Sequence, residues 1–189
     1  AYTGDTFPIF PSSTGILPPV CTITNQVTAL TLNKVLPNDN GGTKTGADFV
    51  LSATPAAGGA AVINKADPAV NDPAVGASAL VTAGTYTLAE TPASTTGYTT
   101  SAWTCVDGAT GASVSVSATK QVTIAEGQNV VCSITNDDIP AKLTLVKTVT
   151  NDNGGTAAAS AWTLSATGPV TLSGPTGTSG DVSAGTYTL

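Results

Sequence analysis

Residues 30–42 read LTLNKVLPNDNGG, and residues 143–155 read LTLVKTVTNDNGG, matching at 9 of 13 positions with an offset of 113. Self-similarity at that spacing marks a tandem repeat. The same offset relates LSAT at 51–54 to LSAT at 164–167. AGTYTL occurs at 83–88 and again at 184–189, and VCTITN at 20–25 echoes VCSITN at 131–136. These echoes set a phase. One full unit occupies residues 28–139, residues 1–27 hold the end of a preceding or variant unit, and residues 140–189 hold the first half of the next. A half unit cannot bury its apolar face alone, so more of the same polypeptide or a neighbouring subunit is expected to complete it. The chain opens with no signal peptide and no initiator Met, and we read it as a piece of something longer.

Within the full unit the apolar period is two. Strands are expected at 28–36, 47–54, 77–82, 84–90, 97–105, 112–117, 119–125 and 129–136. Turn signals separate them: the NDNGG run, Ala57-Gly58-Gly59, Asp107-Gly108 and Glu126-Gly127. Residues 55–76 read as a long loop. Many short strands at this spacing imply an all-β antiparallel sandwich. Asp137-Asp138, beside Pro140, reads as a solvated hinge rather than an ion site.

Composition narrows the function. Hydrophobic residues make up 41% of the chain, which argues against disorder. The net charge of −6 comes from 6 Lys, no Arg and 12 acids. Such a surface repels phosphate, so nucleic-acid binding is not expected. No stretch is apolar enough to insert into a membrane. His is absent, so Ser-His and Cys-His dyads are excluded, and no cofactor or metal set is evident. The NDNGG runs lack the acidic ligands that calcium takes, and read as Asn-Gly turns. Trp103 and Trp162 read as core or near-core residues. An enzyme is not expected.

Strand parity then singles out three polar residues. Lys34 shares the phase of Leu30 and Leu32, Glu90 that of Tyr86 and Leu88, and Asn136 that of Cys132 and Ile134. Burial favours the neutral form of either an amine or a carboxylic acid. A neutral amine is a nucleophile, and a carboxyl can shuttle its protons. If the three meet, Lys34 can attack Asn136 with loss of ammonia, Glu90 serving as acid and base for this single self-modification. The resulting isopeptide bond would join the first and last strands, taken as the outermost of the sandwich. Parity alone leaves open that the three sit at strand ends and reach water. Cys105 and Cys132 lie on strands of the same unit, in phase with Trp103 and Ile134. A disulfide is expected between them in an exported protein, with two buried thiols as the alternative.

The segments GADFVL at 46–51 and YTLAETPASTTGY at 86–98 resemble the collagen-adhesin B-type repeat, the SpaA-like prealbumin-fold domain of bacterial surface proteins and pilins. Lys34, Glu90 and Asn136 fall on that family's Lys, Glu and Asn positions. The resemblance implies tandem Greek-key, Ig-like sandwiches and, often, an isopeptide cross-link. Cys105 and Cys132 depart from the pattern. The function expected is a structural module of an extracellular stalk, fibre or pilus-like filament at the bacterial cell surface. The alternative is an adhesin whose 55–76 loop binds a glycan or protein. The partners expected are neighbouring repeats, or identical subunits joined by strand addition. In the second case Asn25 would face Lys147 across chains, with Cys21 as a further inter-unit cross-linking candidate.

Overall fold

The computed structural model describes residues 27–72 and 75–189. Asn25 and Cys21 lie outside these residues. Fourteen strands form among them. β1 is Ala29–Val35, β2 Val50–Pro55, β3 Ile63–Ala66, β4 Ala77–Leu80 and β5 Gly84–Thr91. β6 is Tyr98–Thr100, β7 Thr104–Asp107, β8 Ser113–Val114, β9 Gln121–Ile124 and β10 Asn129–Asp138. β11 is Ala141–Thr144, β12 Leu164–Ala166, β13 Leu172–Gly174 and β14 Ser179–Val182.

The first ten strands make two sheets. One runs β4-β1-β10-β7-β8, with β6 also paired to β10; the other runs β3-β2-β5-β9. Alternation along each strand turns one set of side chains inward. Leu30, Leu32, Val130, Cys132 and Ile134 from the first sheet meet Leu51, Tyr86, Leu88, Val122 and Ile124 from the second in one apolar core. Trp103 joins that core, whereas Trp162 in the second repeat is 39% exposed and is not a core residue. Beyond β10, β11 pairs with β14 and β12 with β13. The fold is thus all-β and sandwich-forming.

Three features depart from the sequence-based expectation. The stretch 55–76 is not wholly loop, because β3 pairs antiparallel with β2 from Ala53–Ile63 to Val50–Ala66. Its polar Asn64 and Lys65 are exposed, which hides the strand from an apolar pattern. The strand expected at 97–105 is split into β6 and β7, both laid on β10. The first and last strands are neighbours inside the sheet, not its outer edges. β1 lies between β4 and β10, and its pairing with β10 is parallel, whereas the other pairings between named strands are antiparallel.

Asp138 is no solvated hinge. It is only 4% exposed and ends the buried stripe of β10. Its carboxylate accepts hydrogen bonds from the backbone N–H of Asn40, at 3.1 and 3.0 Å, and of Gly42, at 2.5 Å. Burial pushes this carboxyl up, but the amides of Gly42 and Asn40 outweigh it and hold the group below the usual carboxylate value. The carboxylates of Asp39 and Asp137 approach it within 4.8 Å.

Candidate functional site

The site forms where the two sheets face each other near the ends of β1, β5 and β10. Lys34 pairs with Ile134 in the parallel ladder. Asn136 is therefore the next residue along β10 on the same face as Lys34's partner. Strand spacing of about 4.8 Å and a rise of about 3.3 Å per residue put their Cα atoms roughly 8 Å apart, within the reach of a lysine side chain. Glu90 comes from the opposite sheet, where it pairs with Leu51.

All three are buried: Lys34 is 1% exposed, Glu90 6% and Asn136 0%. The Lys34 Nζ stands 3.2 Å from Glu90 Oε1 and donates to the Val35 carbonyl at 3.1 Å. Phe49, just before β2, floors the site, with its ring centroid 4.4 Å from Nζ. Burial pulls the Lys34 pKa below its ordinary value, while the nearby Glu90 carboxylate pulls the other way. An amine in this setting sits closer to its nucleophilic neutral form than an exposed lysine does.

The polar accounting is incomplete in a telling way. Glu90 Oε1 lies within ion-pair distance of Nζ but makes no well-aligned hydrogen bond, and Oε2 has no partner either. Both Oδ1 and Nδ2 of Asn136 are buried without a hydrogen bond. Leaving such a group unpaired costs about 1–3 kcal/mol.

Cys105 and Cys132 are directly opposed in the β7–β10 pairing and form a disulfide, with Cα atoms 4.1 Å apart. It staples the same strand that carries Asn136.

The second repeat rebuilds part of the site. Lys147, at the offset of Lys34, lies 5.2 Å from the ring centroid of Trp162, which stands at the offset of Phe49. Strand parity does not mark the aromatic under each lysine, although Phe49 lies within the GADFVL segment. Comparing what surrounds each repeated lysine is the signal that finds it.

The SpaA_2 profile, described as a prealbumin-like fold domain, matches residues 25–134 and 138–189. No curated protein and no solved structure matches the chain. The two matched segments cover the greater part of both repeats, so the chain belongs to the SpaA_2 family of prealbumin-like fold domains, a structural module of the pilin and surface-protein kind.

Proposed function

We propose that the chain is a repeat module of a secreted or cell-surface stalk, fibre or pilus-like filament, and that each complete unit ties itself shut with an isopeptide bond. The observation that carries this reading is the orphaned amide of Asn136, buried beside the desolvated Lys34–Glu90 ion pair. A permanent arrangement of this kind is expensive, and a reaction that consumes it explains why it is there.

The chemistry balances. Glu90 takes a proton from the Lys34 ammonium across the 3.2 Å contact. The free amine attacks Cγ of Asn136. The C–N bond to the side-chain nitrogen breaks as that nitrogen takes the one proton it needs, given up by the attacking amine and relayed by Glu90, and ammonia leaves. One proton remains on Glu90, which can then donate to the new amide carbonyl. Glu90 touches the reacting atoms as acid and base, and Phe49 excludes water from beneath them.

The link would close a loop of about 100 residues, restricting the unfolded chain by roughly 4–5 kcal/mol on the disulfide analogy. In this reading the units stack as spacers, with neighbouring repeats as partners. Lys147, already set over Trp162, would react with an Asn supplied by a following segment, or by residue 25 of an identical subunit added as a strand.

The test is the intact mass of the chain, with and without reductant. The expected mass is short by one ammonia per complete unit, and the deficit disappears in Glu90→Ala. A full, unreduced complement of nitrogen in the purified chain would remove the covalent part of the proposal.

A further inference from the structure

The NDNGG loop has a second occupant besides Asp138. The backbone N–H of Ala184, in the following repeat, donates to the Asn40 carbonyl at 2.8 Å. The Ser183 hydroxyl donates to the Asp39 carbonyl at 3.4 Å. Gly41 lies under this contact with φ +88°, and a Cβ there would meet the Ala184 carbonyl at 2.7 Å. Glycine therefore serves both the turn and the close approach. Only Ile139 and Pro140 separate β10 from β11, so the connector itself has little slack.

Both halves of this contact occur a second time, the loop with the same turn and the plug with the same tyrosine hydrogen bond. In the loop at 151–155, Gly154 has φ +87°. Asn151 Nδ2 donates to the Ala157 carbonyl at 3.0 Å, as Asn38 Nδ2 does to that of Lys44 at 2.9 Å. Asn153 Nδ2 bonds Asp152 as Asn40 Nδ2 bonds Asp39. The loop adopts this shape without an Asp138 counterpart among the described residues, so the shape is its own. On the other side, the Tyr187 hydroxyl donates to the Ser183 carbonyl at 2.8 Å, and Tyr86 does the same to Thr82 at 2.7 Å. Loop 151–155 is exposed throughout, as are Thr82 and Ala83, and a Cβ on Gly84 would meet nothing within 4 Å.

We infer that the NDNGG loop is a socket and the Ala-Gly-Thr turn its plug, and that the 151–155 socket takes the Ala-Gly-Thr turn of another copy of this repeat. The contact is heterologous, so the same step can recur along a line of units. It fixes the rotation of each unit on the last. The occupied junction at Asn40 and Ala184 supplies the interface, and the counterparts at 151–155 and 82–83, exposed among the described residues, supply its continuation. None of this depends on whether Lys34 and Asn136 are bonded.

Nuclear magnetic resonance on the full chain tests it. Residual dipolar couplings from the two repeats should fit one alignment tensor, and Ala184→Arg, at an exposed position, should split them into two. The plug within a chain is held at high effective concentration by its short connector, so free chains should meet only near millimolar concentration. On concentrating the chain, amide shifts should move together at Asn153–Gly155 and at Thr82–Thr85, and Ala83→Arg should abolish both. Two tensors in the unaltered chain, a single tensor surviving Ala184→Arg, or no concentration-dependent shift at these loops would each overturn the inference. Intact mass taken on the same sample reads the fate of the cross-link separately, so a failure of this inference and a failure of the cross-link are told apart.

Discussion

Lys34 Nζ and Glu90 Oε1 stand 3.2 Å apart across the gap between two sheets, with both side chains closed to water. A lone ammonium or carboxylate in that place would be far costlier than the pair. The pair is thus mutually enforcing, and its protons are the accessible handle on it.

The first prediction is a pH slope. In Asn136→Ala no link can form, and Lys34 keeps a pKa lowered by burial in the folded state. The unfolded chain then binds more protons than the folded one between that lowered value and 10.5. Stability should therefore rise with pH across that window and be lowest below it. The cross-linked chain carries an amide in place of the amine and should lack this contribution. Denaturant midpoints measured against pH on both chains check it, and equal slopes would refute it.

The second is non-additivity. In the Asn136→Ala background, Lys34→Met leaves Glu90 buried and alone and should cost about 3–5 kcal/mol. Adding Glu90→Leu should recover part of that loss, because it removes the orphaned charge. A double-mutant cycle by urea unfolding reads the coupling.

Parity carried much of this site. The alternation of Leu30, Leu32 and Lys34, of Tyr86, Leu88 and Glu90, and of Cys132, Ile134 and Asn136 appears in the structure as unbroken buried stripes. Parity is local, so it fixes the face of a strand and not its neighbour. That β1 lies parallel to β10 comes from the closing of the whole sandwich, and no short pattern encodes it. β3 was hidden because its Asn64 and Lys65 stay exposed. Asp138 looked like a surface carboxylate because its partners are backbone amides nearly 100 residues away, which leave no mark in side-chain sequence.

The third prediction concerns the disulfide. Cys105 and Cys132 are 27 residues apart, so replacing both with Ala should cost about 3–4 kcal/mol on loop-closure grounds. The unreduced chain should also weigh two hydrogens less than the reduced one. Thermal and denaturant unfolding with and without reductant measure the first, and mass the second.

The fourth concerns Asp138. Its folded pKa lies below the ordinary 3.8, so its contribution is complete above 3.8 and lost as pH falls through the lowered value. The amides of Asn40 and Gly42 should shift in that acid range, and Asp138→Asn should remove the transition. An acid titration followed at those two amides decides it.

The parallel pairing of β1 with β10 has a mechanical consequence. The chain enters the ladder at Ala29 and leaves beyond Thr135, at opposite ends of the same seven paired positions. A pull on the two termini slides these strands past one another in shear, loading every rung at once, whereas a hairpin would unzip rung by rung. The sandwich is thus built to resist stretching by topology before any covalent bond is made, and a bond from Lys34 to Asn136 would act as a stop on a slide that is already stiff.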